Sequence, residues 1–314
     1  MTVLQDRAAP SGMPERGHAR PALRHRLAAR GLDRTALLVL PGVVLIGLLF
    51  VYPFAYGFGL SFQPRPVKGV PQDFLANYRT FFSDPYLRET ISITMWLAVP
   101  AALINVLASV PVAFGLRQRA RGRRLLATLL VIPITLGTVL TAQGLIQYLG
   151  PAGWLNRTLM ALNIVDEPVS LVHNYWGVFF SLIISGFPFA FLLTLSYLTG
   201  IDPNLERAAS TLGAGWWQRF RYISLPLLSP GLAITFCLTF VLAFSVFPSA
   251  ILVGDPQNET HVISIAAYEA ALLRYDYSMG SAIAMIMAAI MLAVITLVLV
   301  WRARLYRGAT GGKG

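Results

Sequence analysis

Residues 206–226 read ERAASTLGAGWWQRFRYISLP and lie between two long apolar runs, 175–199 and 227–254. The segment has the makings of a short polar helix, then a glycine, then a Leu-Pro stop. Just upstream, Asp202-Pro203 sets a capping side chain before a proline at the first helical position, where the missing N–H costs nothing. Leu205, Ala208, Ala209 and Leu212 then recur at the spacing of one helical face. The small Ala208 and Ala209 would let a partner's backbone approach closely. Gly213 follows where a left-handed C-terminal residue belongs. Trp216, Trp217 and Phe220 supply aromatic anchors of the kind found at membrane boundaries. Periodicity alone leaves two readings open: an amphipathic helix lying on the membrane, or a helix presented to another protein.

The rest of the chain says what surrounds this segment. Of 314 residues, 56% are hydrophobic and only 12% charged, about half the charged fraction of a soluble domain. Mean hydropathy is +0.63. Six apolar stretches, 36–62, 91–116, 125–150, 175–199, 227–254 and 278–301, reach the roughly 20 residues that a membrane crossing needs. None contains Asp, Glu, Lys or Arg. The expected fold is therefore an all-α polytopic membrane protein of six transmembrane helices. It divides into a basic, disordered tail (1–35), a six-span domain (36–301) and a short tail (302–314). The runs 91–116 and 125–150 are joined by only eight residues, RQRARGRR, and must form an antiparallel hairpin.

Net charge is +11, which in a soluble protein would point to nucleic acid. Its distribution gives a better account. The tails and the loops 117–124 and 200–226 hold 19 of the 25 Lys and Arg, while the alternate loops hold nine of the 14 Asp and Glu. Lys and Arg remain cytoplasmic during insertion. Both termini are thus placed on the cytoplasmic side, with the charges meeting anionic lipid rather than nucleic acid.

Smaller signals complete the map. In the outer loop 63–90, Pro64, Pro66 and Pro71 precede NYRTFFSDPYLRET, and loop 151–174 contains LNRTLMALNI; each suits a short interfacial helix. Cys237 stands alone, which excludes disulfides and cysteine metal sites. The four histidines, His18, His25, His173 and His261, show no metal-like spacing, and neither HExxH nor GxSxG occurs. These absences argue against an enzyme. No G-x-x-x-x-G-K-[ST] phosphate loop is present.

The pattern Ala208-Ala209, three residues, Gly213, nine residues, Ile223, one residue, Leu225-Pro226 resembles the "EAA" loop of binding-protein-dependent ABC importer permeases. The resemblance covers roughly residues 37–305. NYRTFFSDPY, LERAASTLGA and the loop order look most like the spermidine/putrescine-type permeases, with sugar-type permeases similar as well. It implies the type I importer architecture and several partners: a homologous second permease subunit, a cytoplasmic ATPase dimer and a periplasmic or lipid-anchored solute-binding protein. It implies that Leu205, Glu206, Arg207, Ala208, Ala209, Leu212, Gly213, Leu225 and Pro226 form or flank the coupling element, with Leu205 to Gly213 as the helix seated on the ATPase. One departure stands out. The family's glutamate falls on Arg207, and Glu206 lies one residue earlier, about 100° away around a helix. Either residue could face the ATPase.

The chain would then be a non-catalytic half of a gated pathway, importing polyamine or, alternatively, sugar, iron or another small organic solute. An ion-coupled secondary transporter is the rival of a different class. Such carriers place acids at mid-membrane, and these spans have none. The polar span residues Asn105, Gln143, Gln147, Tyr148, Ser185, Thr194, Thr235, Ser245 and Ser249 are candidates either for the pathway or for hydrogen bonds between helices.

Overall fold

The computed structural model describes residues 34–63, 73–117 and 123–306. Residues 1–33 of the expected tail 1–35, the prolines of loop 64–72, the hairpin tip 118–122 and the end 307–314 lie outside the described residues. The chain divides into two units, Met1–Tyr56 and Gly57–Gly314.

Among the described residues, six helices are long and apolar enough to cross a membrane. The first, α1 (34–61), carries Pro41 and loosens into a π-helical turn over Gly47–Val51. There the Tyr52 N–H reaches back to the Gly47 carbonyl. Pro53 follows at once and lacks an N–H, so the wider turn sits where the ordinary ladder would be interrupted.

In the second unit, α2 (Ala76–Ser83) is the first interfacial helix that the sequence predicts. Asn77 and Tyr78 tie it to the end of α1 through Ser61. Next come α3 (Pro85–Arg117), α4 (Arg123–Leu149), α5 (Trp154–Ala161) and α6 (Tyr175–Thr199). They are followed by α7 (Pro203–Thr211), α8 (Trp216–Phe244), α9 (Pro248–Val253), α10 (Ile263–Leu273) and α11 (Tyr277–Tyr306).

The core forms where α3 packs along α6, with α8 against both and α4 against α6. Lipid tails are as apolar as leucine, so close packing and interhelical hydrogen bonds hold such a bundle together. Ala98, Ala101 and Ala102 make a fully buried small face on α3. Where α3 and α6 cross, Gly186 leaves room for the Asn105 amide, which donates to the Leu182 carbonyl at 3.2 Å. Ser109 meets Thr194 at 2.7 Å, and Ser181 meets Ser249 at 2.7 Å. Each such bond contributes about 0.6 kcal/mol in a membrane. A second apolar cluster, including Ala113, Phe191, Leu198, Ile201 and Leu228, closes the end of the bundle that carries α7.

Several expected boundaries move. The second span starts at Pro85 rather than 91, because the Asp84 carboxylate accepts the Tyr86 N–H and Pro85 takes the first helical position. PYLRET is thus the first turn and a half of a membrane helix rather than part of an interfacial one. The fifth span ends at Phe244, not 254. Phe247, preceding Pro248, is pushed out of helical geometry (φ −137°), and a separate helix begins. The last helix runs on to Tyr306, past the expected boundary at 301. The apolar helix α10 was not anticipated.

Candidate coupling site

The segment after α6 folds as its local chemistry dictates. The Asp202 carboxylate accepts the Asn204 N–H at 2.9 Å, and Pro203 opens α7. At the other end Gly213 adopts φ +83°. Its N–H donates to the Ser210 carbonyl at 3.1 Å, and the Ala214 N–H to the Ala209 carbonyl at 3.0 Å. This pair of bonds is the Schellman closure, which requires a left-handed residue. Nothing lies within 4 Å of where a Gly213 side chain would start, so the glycine serves conformation and not space. The helix proper is Pro203–Thr211, two residues earlier at each end than the expected Leu205 to Gly213.

The two charged candidates separate. Glu206 turns towards the bundle. Its Oε1 accepts from Arg117 Nη1 at 2.6 Å and from the Ser224 hydroxyl at 2.7 Å. Arg117 Nη2 also donates to the Ile201 carbonyl at 2.9 Å. One carboxylate therefore joins the end of α3, α7 and the start of α8. Burial raises its pKa, but the bonds from Ser224 and Arg117 and the charges of Arg117 and Arg219 outweigh this and hold it below the ordinary glutamate value. Arg207 is exposed, with a single 3.3 Å contact to the Asn204 side chain. Of the two, Glu206 faces the bundle and Arg207 faces outward. The remaining face is open: Leu205 is 47% and Leu212 88% exposed, with Ala208 exposed and Ala209 half-buried.

Leu225-Pro226 does not stop an element as expected. Leu225 begins the straight part of α8, and Pro226 sits in its first turn, where a missing N–H is tolerated. Upstream, a π-helical turn over Phe220–Ser224 joins it to the Trp216–Arg219 turn, so the chain is helical from Trp216 into the membrane. Only the turn 212–215 separates α7 from this continuous helix. Trp216 stacks on Phe220 with centroids 5.7 Å apart, and both tryptophans are exposed at the span's end.

The polar span residues differ in how they are satisfied. Asn105, Thr194 and Ser249 bond between helices, Thr235 bonds its own helix, and the Ser245 hydroxyl reaches both the Val241 carbonyl and Met291 Sδ of α11. Ser185 has a buried hydroxyl without a partner. Gln143, Gln147 and Tyr148 are exposed on α4, beyond a kink where Gly137 leaves helical geometry (φ 71°, ψ 173°). Gln143 and Gln147 lie one turn apart and share a face. An amide facing lipid would lose its hydrogen bonds, so this face requires a polar lumen or a second protein.

At the opposite end of the bundle a cavity of about 760 Å³ opens between α3, α6 and the 255–261 turn, lined among others by Tyr86, Glu89, Tyr175, Trp176, Glu259 and His261. His261 is 2% exposed and stacks on Tyr86 at 4.5 Å, with Nε2 3.6 Å from the Glu269 carboxylate. Neither ring nitrogen has a hydrogen-bond partner in the fold. Burial lowers its pKa, Glu269 pulls it up in part, and Arg274 lowers it further; the net shift is downward. The sequence offered no signal for this burial. Among the described residues no group of three or more His, Cys, Asp or Glu could hold a metal.

Residues 74–310 match the family described as binding-protein-dependent transport system inner membrane component. The trehalose transport system permease protein of Mycobacterium tuberculosis is 25% identical over 272 residues, covering 83% of this chain and 85% of that protein. The trehalose/maltose transport system permease protein of Thermococcus litoralis is 27% identical over 260 residues, covering 80% and 87%. Among solved structures, a chain of a bacterial alginate ABC transporter in complex with alginate pentasaccharide-bound periplasmic protein superposes on 93% of this chain and 99% of its own length. The TM-score is 0.75 at 20% identity, a likeness of fold.

Proposed function

The chain belongs to the binding-protein-dependent transport system inner membrane component family, and on that premise we propose that it forms half of the translocation pathway of an ATP-driven carbohydrate importer. As a member of that family it is a multi-pass inner-membrane permease subunit of an ABC importer and not itself a catalyst. The finer assignments are our reading.

The observation that carries the coupling assignment is the two-sided character of α7. Glu206 locks one side to α3 and α8, while Leu205, Ala208, Ala209, Leu212 and the Gly213 turn leave the other side open. A small-faced helix fixed to two spans passes a rigid-body displacement into the membrane. In this reading the open face seats on a cytoplasmic ATPase dimer that binds the ATP and Mg, with Arg207 at the margin. The arginine-rich end is cytoplasmic, and a second permease subunit supplies the other half of the path. A solute-binding protein delivers the ligand from outside. Gln143 and Gln147 face the pathway, where amides exchange hydrogen bonds with sugar hydroxyls.

For the substrate, the relatives named above carry trehalose, or trehalose and maltose, in their names, so we adopt the sugar alternative over the polyamine one suggested by NYRTFFSDPY and LERAASTLGA. The test is to co-purify the subunit with its ATPase and binding protein in mild detergent and measure hydrolysis. We expect stimulation by trehalose, maltose or an oligosaccharide and none by spermidine or putrescine. Stimulation by the polyamines alone reverses the substrate reading. A subunit that purifies alone and moves solute down an ion gradient sinks the importer assignment.

A further inference from the structure

A cavity of about 670 Å³ lies beside the coupling element, between the end of α3, α7 and the start of α8. Its wall carries Arg117, Arg207 and Arg219 but only one carboxylate, Glu206. Glu206 is already committed to Arg117. Arg207 and Arg219 make no ion pair among the described residues, and the Arg219 Nε is buried without a hydrogen-bond partner. A buried guanidinium N–H left unpaired is costly, so this corner is short of an anion.

The same cavity is not closed on its membrane side. Phe114, Trp216 and Phe220 line it and also line an adjoining groove of about 500 Å³, completed by apolar residues such as Val110, Pro111 and Trp217. Val110 to Phe114 belong to the membrane-spanning length of α3. A cationic chamber thus continues into an apolar channel along a span, at the depth where exposed tryptophans mark the interface. A free inorganic anion would use the first half and leave the second empty, and an acidic peptide would have no use for a groove running into the bilayer.

We propose that this site holds one anionic phospholipid, its phosphate between Arg207 and Arg219 and an acyl chain along Phe114 and Val110. Its effect is to brace α7 beside the Glu206 anchor, so that the coupling helix senses the charge of the surrounding leaflet. This goes beyond the importer assignment and does not depend on the substrate.

The test is native mass spectrometry of the full chain in detergent, titrated separately with phosphatidylglycerol and phosphatidylcholine of identical acyl chains. We expect phosphatidylglycerol to bind at least about 5-fold more tightly, since each surface cation adds about that factor towards anionic lipid. Arg219→Gln should remove about 5-fold of the phosphatidylglycerol affinity and leave phosphatidylcholine unchanged. Trp216→Ala should weaken both lipids, because it shapes the groove. Arg207→Gln, an exposed change, repeats the first variant's test should Arg219→Gln fail to fold. Equal binding of the two lipids, or an unchanged preference in both arginine variants, overturns the proposal. Displacement of phosphatidylglycerol by millimolar inorganic phosphate, with phosphate binding equally well without lipid, overturns it in favour of a free-anion pocket.

Discussion

The two ends of the bundle each bring an ionisable side chain to a place where helices meet, and they treat it differently. At the α7 end, Glu206 receives bonds from Arg117 and Ser224 and is held charged. At the other end, His261 is more deeply buried, stacked on Tyr86, with both ring nitrogens unbonded and its protonation suppressed. A charge fully partnered makes a joint that is rigid because breaking it leaves an uncompensated ion. A buried ring without hydrogen bonds contributes contact area and resists protonation, although Glu269 lies 3.6 Å from its Nε2. The first arrangement fixes α7 to two membrane helices, and the second packs the 255–261 turn against α3.

The sharpest way to break this comparison is Glu206→Ala. Removing the carboxylate strands Arg117 and frees α7, at roughly 2–3 kcal/mol. Hydrogen exchange over Pro203–Thr211 should accelerate by roughly 30-fold or more, and ligand-stimulated ATPase activity should fall with it; unchanged exchange would show that the joint is not what holds α7. Gly213→Val comes next, since φ +83° in a branched residue costs roughly 1–2 kcal/mol, whereas Gly213→Asn should cost less. The readout is the thermal midpoint of the purified chain together with uptake in the assembled importer. Ser224→Ala removes one of the carboxylate's two donors and should cost about 1 kcal/mol by the same exchange measurement.

The pH dependence sharpens the contrast further. The imidazole of the unfolded chain takes up a proton near its ordinary 6.5, while the folded one resists. The unfolded state therefore binds more protons in that window, and stability is lost as pH falls through it. The thermal midpoint should drop between about pH 7.5 and about pH 5.5, and His261→Asn should flatten that slope. Glu206 is shifted the same way but acts in a lower window: its contribution is full above the ordinary glutamate value of 4.5 and is lost only as acid reaches its lower folded pKa, so the joint should survive this titration intact. The smallest effect is expected from Arg207→Ala, within about 0.5 kcal/mol on folding. Equal exchange in the Glu206 and Arg207 variants would erase the distinction between the two faces of α7.

Much of this architecture was legible in the chain. The six crossings follow from runs of apolar residues without charges, a property each segment carries by itself, and the caps of α7 follow from Asp202-Pro203 and Gly213. The misplaced ends have local causes that were present but underweighted: Asp84-Pro85 starts a helix and Phe247-Pro248 interrupts one. The helix α10 was harder, because at 11 residues it is too short for a crossing and its apolar face is explained only by what it packs against.

The sequence by itself determined that this chain lives in a membrane and how often it crosses, because transfer of apolar side chains from water and the satisfaction of backbone groups in lipid are sums over neighbouring residues. It could not decide whether Glu206 or Arg207 faces inward. The two differ by a single helical step, and the choice was made by Arg117, 89 residues earlier in the chain. Nor could it bury His261, whose surroundings come from Tyr86 and Glu269 on other elements. Charge pairing and desolvation depend on distances between segments remote in sequence, and those distances exist only once the helices have packed.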